Sequence, residues 1–138
     1  IFIRFLNEIK NDAEKCISVK GNVVAEIGKK VMHASNILEE TGAALLDMWK
    51  NDKRQAAAGA SPFTEMCGTV FGGWMMARSA LKTSQLLATE ESSTFLTSKI
   101  DTASFYTNTV LETSLSLKNV VQNAYKNIDS IKKYNLQS

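Results

Sequence analysis

The segment SPFTEMCGTVFGGWMMARSALKTSQLL, residues 61–87, decides the fold. One set of its apolar residues recurs every three or four positions and so shares a helical face: Phe63, Met66, Val70, Trp74, Ala77 and Leu81. A second stripe lies beside it: Cys67, Phe71, Met75 and Ala80. Because the segment is apolar nearly all round, we predict a central helix enclosed by other helices. We expect it to begin at Ser61, which can cap a helix, and Pro62, which suits the first turn.

Three glycines, Gly68, Gly72 and Gly73, lie inside this helix. Each costs about 0.5–1 kcal/mol relative to alanine, so we expect compensation by the close approach of a neighbouring backbone or a large ring. The same spacing occurs where membrane helices pack. A membrane span needs about 20 apolar residues, however, and Glu65 and Arg78 bracket a much shorter run. We therefore predict a buried core helix and no membrane span.

The bulk composition is that of one globular domain, residues 1–138. The chain is 44% hydrophobic and 22% charged, which is enough apolar material for a core. A net charge of +2, with basic and acidic residues intermixed, argues against nucleic-acid binding. Cys16 and Cys67 fall on apolar faces and are expected to be reduced, as in a cytoplasmic protein. Because Ile1 begins inside an apolar pattern, we expect a piece of a longer polypeptide.

Two further helices are predicted before the central one. The first covers Phe2–Cys16, with a buried side made of Phe2, Phe5, Leu6, Ile9, Ala13 and Cys16. The second covers Val23–Lys53 and alternates spacings of three and four, as bundle helices do: Val24, Ile27, Val31, Ala34, Leu38, Thr41, Leu45 and Met48. Arg54–Ala60 is interpreted as an exposed connection.

The fourth helix follows a polar break at Thr89–Ser93, where Thr89 or Ser92 could cap it. Its predicted buried face is Leu96, Ile100, Ala103, Thr107, Val110, Ser114, Leu117, Val121, Ala124, Ile128 and Ile131. We expect a kink at Glu112–Ser116, packing of the part beyond on the first helix, and fraying of Asn135–Ser138. Since no alternating strand pattern appears, the predicted fold is all-α: an antiparallel up-and-down four-helix bundle.

The sequence contains few residues that could form a catalytic site. His33 is the sole histidine, so this chain alone cannot supply a cluster of histidine metal ligands. We also expect no Ser-His-Asp triad, because His33 lies off the main buried face of the second helix, where a lone histidine is usually structural. The adjacent carboxylates Glu39-Glu40 and Glu90-Glu91 point about 100° apart on a helix, unlike an acid/base dyad. We therefore predict no catalytic, cofactor-binding or metal-binding residue. The residues singled out serve helix packing or domain docking: Gly68, Gly72, Gly73, Trp74, Arg78, Phe105 and Tyr106.

Two pairs among these residues allow more than one interpretation. Trp74 and Arg78 are one helical turn apart, so they form either a core tryptophan flanked by an arginine stem or a docking patch. Phe105 and Tyr106 are adjacent and face different ways, so we expect one in the core and the other at an edge or interface.

Several motifs in order resemble a known family. They are Gly59-Ala60-Ser61-Pro62-Phe63, Gly68-x-x-x-Gly72-Gly73-Trp74-x-x-Ala77-Arg78 and Lys99-x-x-x-Ala103-x-Phe105-Tyr106. Together they resemble the helical C-terminal extension of one acyl-CoA dehydrogenase branch, which includes the 3-methylmercaptopropionyl-CoA dehydrogenases. The resemblance covers the second helix to the middle of the fourth. This chain lacks the proline that the family often has near Leu111-Glu112.

The resemblance implies a full enzyme that holds FAD and oxidises acyl-CoA to 2-enoyl-CoA, with flavin and catalytic base in upstream domains of the same chain. This segment would carry no cofactor, would meet acyl-CoA only through the full enzyme, and would be structural or docking. We also expect a homo-oligomer. A free-standing adaptor module is the alternative, and a cofactor-binding bundle enzyme is a third hypothesis.

Overall fold

The computed structural model describes residues 1–89 and 93–126, which are helical apart from short turns. The helices are α1 (Phe2–Ile17), α2 (Asn22–Asn51), α3 (Lys53–Thr89), α4 (Thr94–Asn108) and α5 (Val110–Ser114). Residues 117–126 are again helical. No strand occurs in these two ranges, so the all-α prediction is confirmed for the part of the chain that they cover.

The helices are arranged around a central pair, α2 and α3. These two contact each other, and each also contacts α1, α4 and α5, whereas α1 contacts neither α4 nor α5. The segment at residues 61–87 is therefore central, as expected, but it shares that place with α2.

The core follows the predicted faces closely in α1 and α2. In α1 the buried residues are Leu6, Ile9, Ala13 and Cys16, whereas Phe5 is 43% exposed. In α2 the first six residues of the predicted face are buried, and the last two, Leu45 and Met48, are half-buried. Burial in α3 centres on Met66, Val70, Gly73, Ala77 and Ala80. The hydrophobic period therefore located the core but overestimated its extent at the helix ends.

The predicted start of the central helix is wrong. α3 begins at Lys53 and runs through Pro62, so Arg54–Ala60 is helical instead of an exposed connection. Ala56 and Gly59 are buried, and this tertiary burial outweighs the local signal at Ser61 and Pro62. The turn before α3 is instead made at Asp52, which is extended and whose carboxylate accepts the backbone N–H of Arg54 at 2.9 Å, as an N-cap residue does.

The fourth helix is interrupted more than expected. A turn at residues 115–116 lies inside the predicted kink region, and an unpredicted break lies at Thr109, between α4 and α5. The Thr109 hydroxyl donates to the Phe105 carbonyl at 2.6 Å, a local bond that competes with regular helix. Past this break Leu111 is 1% exposed and Val110 is 44% exposed, so Val110 was wrongly assigned to the buried face.

The segment after α5 lies against α2 and α3 in its observed contacts. The Lys118 ammonium is 3.0 Å from the Glu40 carboxylate, and the Val121 carbonyl lies close to Gly59. The sequence pattern had predicted packing on the first helix. Thr89 is the last residue of α3 and does not cap α4. The predictions for Ser92, Glu90-Glu91, Ile128, Ile131 and Asn135–Ser138 lie outside the described residues.

Candidate functional site

The Asp12 carboxylate is a polar group that joins α1 to α3. Trp74 on α3 donates its Nε1–H to Asp12 Oδ2 on α1 at 2.7 Å. The same oxygen lies 3.6 Å from Arg78 Nε, and Oδ1 lies 3.6 Å from Lys15 Nζ. The Arg78 guanidinium carbon is 5.6 Å from the Trp74 ring centre. These four residues, here called the Asp12 cluster, tie α1 to α3.

The geometry of Trp74 and Arg78 agrees with a tryptophan packed on the core and an arginine beside it, and the docking patch stays a prediction. Trp74 is half-buried against the core, and its only polar atom is used inside the chain. The Arg78 side chain is 58% exposed, so its pairing with Asp12 is screened by solvent and contributes little. The indole hydrogen bond is therefore the stronger connection of the cluster.

Sequence reasoning missed Asp12. The feature of the sequence that could have identified Asp12 is its position. It lies three residues after Ile9 and one before Ala13, both of which are buried, and therefore at the border of the buried face of α1. A carboxylate there is only 20% exposed and needs a donor on the neighbouring helix.

The expected large ring beside the glycines belongs to Tyr106. A Cβ on Gly72 would lie 2.2 Å from the Tyr106 Oη, a distance that no side chain could keep. Tyr106 donates its hydroxyl to the Thr69 carbonyl at 2.8 Å, one turn before Gly72 on α3. Burial raises the pKa of Tyr106 above its usual value, which keeps the hydroxyl a donor. α4 is therefore held to α3 by a ring that only glycine admits.

Gly73 and Gly68 differ in how closely other residues approach them. A Cβ on Gly73 would meet Leu111 at 3.3 Å and Val31 at 3.6 Å, so Gly73 lies at the meeting of α3 with α2 and α5. Nothing lies within 4 Å of a Cβ on Gly68. The close approach expected at Gly68 is therefore not found among the residues that the structure describes.

A close contact between α1 and α2, at Gly28, was not predicted from the sequence. A Cβ on Gly28 of α2 would lie 2.7 Å from both the Ala13 carbonyl oxygen and the Cys16 Cβ of α1. Backbone cannot yield as a side-chain tip can, so Gly28 fixes the distance between α1 and α2. The feature of the sequence that could have identified Gly28 is its position next to Ile27, on the buried face of α2.

Phe105 and Tyr106 separate as expected for adjacent residues. Tyr106 is half-buried and Phe105 is 67% exposed. Phe105 borders an open groove between α3 and the α4–α5 break, together with Glu65, Thr69 and Val110.

A second open groove, about 370 Å³ in volume, lies between the end of α2 and the start of α3. Its lining includes Leu46, and Trp49 is its only residue with a polar side-chain atom. Ligand sites combine an apolar wall with several converging polar groups, and this groove does not have them.

The histidine and the two cysteines of the described ranges are the next candidates for a reactive group. His33 is exposed. Cys16 and Cys67 are both free, and burial, helped by the Asp12 charge, raises the pKa of the Cys16 thiol to about 11. Burial also raises the pKa of Cys67. Neither thiol is therefore an activated nucleophile at neutral pH.

Two observations in the same ranges bear on metal and cofactor binding. No group of three His, Cys, Asp or Glu side chains in residues 1–89 and 93–126 is placed to hold a metal ion. Every buried side-chain nitrogen or oxygen there has a hydrogen-bond partner, so none is left directed at a missing group. No helix in that part of the chain is both long enough and apolar enough to cross a membrane.

Comparison with known proteins gives one match. A family model described as "Acetyl-CoA dehydrogenase C-terminal like" matches residues 5–129, from the first turn of α1 to beyond α5. No curated protein and no solved structure matches the chain.

Proposed function

Because this chain belongs to the acetyl-CoA dehydrogenase C-terminal-like family, we propose that it is the non-catalytic helical C-terminal domain of an FAD-dependent acyl-CoA dehydrogenase. The observation that carries this proposal is the extent of the match, which takes in the Asp12 cluster and the Gly72–Tyr106 contact alike. It favours a dehydrogenase domain over a free-standing adaptor. The motif order in α3 and α4 supports the 3-methylmercaptopropionyl-CoA branch.

The role of the domain within such an enzyme is structural. Its polar groups are used between its own helices: Trp74 with Asp12, and Tyr106 with the Thr69 carbonyl. Among the described residues, no buried side-chain nitrogen or oxygen is left without a partner that a flavin could supply. We therefore assign FAD and the catalytic base to upstream domains of the same polypeptide, and we derive no catalytic step from this chain.

We further infer that the helices alternate in direction, as in an up-and-down antiparallel bundle. Four contacts support this order. Phe2 at the start of α1 lies against Gly42 late in α2, whereas Ala13 lies against Gly28 early in α2. Between α3 and the fourth segment, Tyr106 meets Gly72 while the later Val121 meets the earlier Gly59.

The activity is tested on the full-length protein. Purified protein should be yellow from bound flavin, and an acyl-CoA substrate should bleach the flavin absorbance. A panel of acyl-CoAs that includes 3-methylmercaptopropionyl-CoA tests the branch. A full-length protein that binds no flavin, or whose flavin no acyl-CoA reduces, contradicts the dehydrogenase proposal. Reduction by other acyl-CoAs alone contradicts only the branch.

The docking role has a separate test. If the bundle docks on the dehydrogenase domains, both should unfold in one cooperative transition in calorimetry of the full-length protein. Destabilising the bundle with Gly28→Ala should then lower the temperature at which flavin is released. Two independent transitions, with flavin release unchanged in the variant, would show that the bundle is not docked. We also expect the enzyme to be cytoplasmic, in keeping with its two free thiols.

A further inference from the structure

The apolar groove between the end of α2 and the start of α3, here called the α2–α3 groove, begins where α1 begins. A Cβ on Gly42 would lie 3.0 Å from the Phe2 ring and 3.3 Å from the Phe63 ring. The two rings pack on each other at a centroid distance of 5.9 Å. Gly42 also lines the groove. The first turn of α1 therefore lies at one end of the groove and contacts both of its walls.

Helical spacing places both walls of the groove on the side of the central pair that α1 covers. On α2, Glu39 forms an ion pair with a lysine of α1. Leu46 of the groove lies two turns after Glu39, on the same face. On α3, Phe71 packs on a phenylalanine of α1, and Ala60 of the groove lies three turns before it. The groove therefore continues the surface on which α1 packs.

α1 is too short to cover this part of the surface. Its end lies against the start of α2 at Gly28, and Phe2 at its start lies against Gly42. Moving back along α1 therefore corresponds to moving forward along α2. Leu46 and Trp49 lie about one and two turns beyond Gly42, level with positions beyond the first residue of α1. Leu46 is accordingly 55% exposed and Trp49 is 49% exposed.

The opposite side of the central pair is covered at the same level. Gly59 of α3 does not line the groove, and a Cβ there would lie 2.9 Å from the Val121 carbonyl oxygen. Val121 is 1% exposed. Among the described residues, the end of the α2–α3 pair therefore has a covered side, which faces Val121, and an open side, which extends beyond the start of α1.

The start of α1 has the features of a helix that continues. Ile1 occupies the N-cap position and makes no side-chain hydrogen bond there. Isoleucine is among the poorest N-cap residues, although the first N–H groups of a helix need acceptors. The Ile1 carbonyl already accepts the Phe5 N–H at 3.1 Å, so helical hydrogen bonding extends to the first residue.

We propose that the α2–α3 groove binds the polypeptide segment directly before Ile1, as a continuation of α1 by about two turns. This inference rests on the proposed function, which places the dehydrogenase domains before Ile1 in the same chain. An amphipathic helix binds an apolar groove through side chains spaced by three, four and seven. Continued backwards from Phe2, this spacing predicts apolar side chains at about the third and sixth residues before Ile1. They contact Leu46 and Trp49 respectively.

This contact determines how the bundle is joined to the domains before it. A helix that continues through Ile1 is a semi-rigid connection, unlike a flexible linker. Packing of its added turns in the groove covers Leu46 and Trp49 and fixes the direction in which the chain enters the bundle. The groove is thus the surface of this domain that receives the upstream part of the same polypeptide.

Thiol labelling of the full-length protein tests whether the groove is covered. Leu46→Cys places a thiol inside the groove, and Ala43→Cys places one on exposed α2 surface outside it. A maleimide should modify the groove thiol at least about tenfold more slowly, because a packed helix must open before the reagent enters. Mass spectrometry of the two labelled peptides measures both rates. Equal rates would show an open groove and overturn the proposal.

Photo-cross-linking of the full-length protein identifies the occupant. The photoreactive residue p-benzoylphenylalanine, placed at the exposed groove position Ala57, should cross-link to the two turns before Ile1. A mixture of isotope-labelled and unlabelled protein should show that the link lies within one chain. The proposal is overturned by cross-links to residues 127–138, to a second copy or to another part of the protein, and equally by a lack of cross-links.

Ala60→Glu measures the contribution of the contact to stability. In the full-length protein it should lower the melting temperature by several degrees, because the packed helix would bury a carboxylate without a partner. Ala43→Glu makes the same change on exposed surface outside the groove and should leave the melting temperature unchanged. Equal melting temperatures for the two variants would count against a covered groove.

Flavin reduction by acyl-CoA separates this inference from the proposed function. A full-length protein whose flavin is reduced, but whose Leu46→Cys thiol reacts as fast as the Ala43→Cys thiol, contradicts the groove proposal alone. A protein that binds no flavin, but whose groove cross-links to the residues before Ile1, contradicts the dehydrogenase assignment alone.

Discussion

Single residues set the distances between the helices, and the Asp12 cluster and the Gly72–Tyr106 contact do so by opposite means. Asp12 joins α1 to α3 by supplying a charge where an indole N–H needs an acceptor. Gly72 lets α4 pack against α3 because it has no side chain in the space that the Tyr106 ring occupies. Both effects can be measured by small substitutions.

Gly72→Ala should lower the free energy of unfolding by about 1–3 kcal/mol, the usual cost of overpacking, because its Cβ meets the Tyr106 Oη at 2.2 Å. Urea denaturation measures the change. Gly68→Ala is the matched control: it enters open space and should be neutral or stabilise by up to about 1 kcal/mol. Tyr106→Phe should recover part of the loss in the double variant. Equal effects at both glycines would show that the Tyr106 contact is not tight.

Asp12→Ala should lower the free energy of unfolding by about 1–3 kcal/mol, because it leaves the half-buried Trp74 N–H without its charged acceptor. A double-mutant cycle with Trp74→Phe should give a clear coupling energy. Glu14→Ala, an exposed carboxylate on the same helix, should change stability by less than about 0.5 kcal/mol. A cycle without coupling would mean that the Trp74–Asp12 hydrogen bond does not stabilise the fold.

Stability should also fall at alkaline pH through Cys16. The thiol is fully buried, and its pKa is raised from 9.0 to about 11, so the unfolded chain loses this proton before the folded chain does. The contribution is therefore fully present below about pH 9 and is lost as the pH rises toward 11, to a limit of roughly 2–3 kcal/mol. Urea denaturation at about pH 8 and about pH 10.5 measures it. Cys16→Ala should show a smaller decrease than the parent; an equal decrease would assign the effect to other groups.

At the scale of elements, α3 shows tertiary burial overriding a local helix-start signal. The Ser61-Pro62 pair suits the first turn of a helix, yet Pro62 lies inside α3. The buried Ala56 and the contact of Gly59 with Val121 require the preceding residues to be helical as well. The result is a long helix that contains an interior proline, with its missing N–H and its steric cost.

Pro62→Ala and Ser61→Ala together test where α3 begins. In a continuous helix Pro62→Ala should raise the free energy of unfolding by about 1–3 kcal/mol, up to the full cost of an interior proline, and Ser61→Ala should be neutral. If the helix began at Ser61, Ser61→Ala would instead cost about 1 kcal/mol and Pro62→Ala would be neutral. Thermal melts of the two variants distinguish these cases, and amide exchange of residues 54–60 provides an independent check.

On the scale of the whole molecule, the described part of the chain consists of the central α2–α3 pair and two flanking units, α1 and α4–α5, which do not contact each other. α1 is fixed by Gly28 and Asp12, and α4 and α5 are fixed by Gly72 and Gly73. No contacting residue at Gly28 is shared with Gly72, so the two flanking contacts should behave independently.

If the contacts at Gly28 and Gly72 are independent, their effects on the free energy of unfolding should add. Gly28→Ala should cost about 1–3 kcal/mol or more, because its Cβ would meet backbone at 2.7 Å. Combined with Gly72→Ala, the loss should equal the sum of the two within about 0.5 kcal/mol. Denaturant unfolding of the single and double variants measures this. A large departure from the sum would show that α1 and α4 are coupled through the central pair.

Much of this protein was determined by the sequence alone. The three- and four-residue spacing in α1 and α2 identified Ile9, Val31 and Leu38 as core residues, because hydrophobic period is a local property of the chain. Because His33 is the sole histidine, composition alone excluded a cluster of several histidine ligands. The ordered motifs around Trp74 indicated the family that the match over residues 5–129 then showed.

Only the tertiary structure decided which residues meet. That Tyr106 fills the space at Gly72, that Asp12 accepts the Trp74 N–H, and that α3 extends back to Lys53 all depend on side chains or backbone far apart in the chain. The reason is physical: a period gives the direction in which each residue points on its own helix, whereas contact distances between helices depend on how all the helices pack at once.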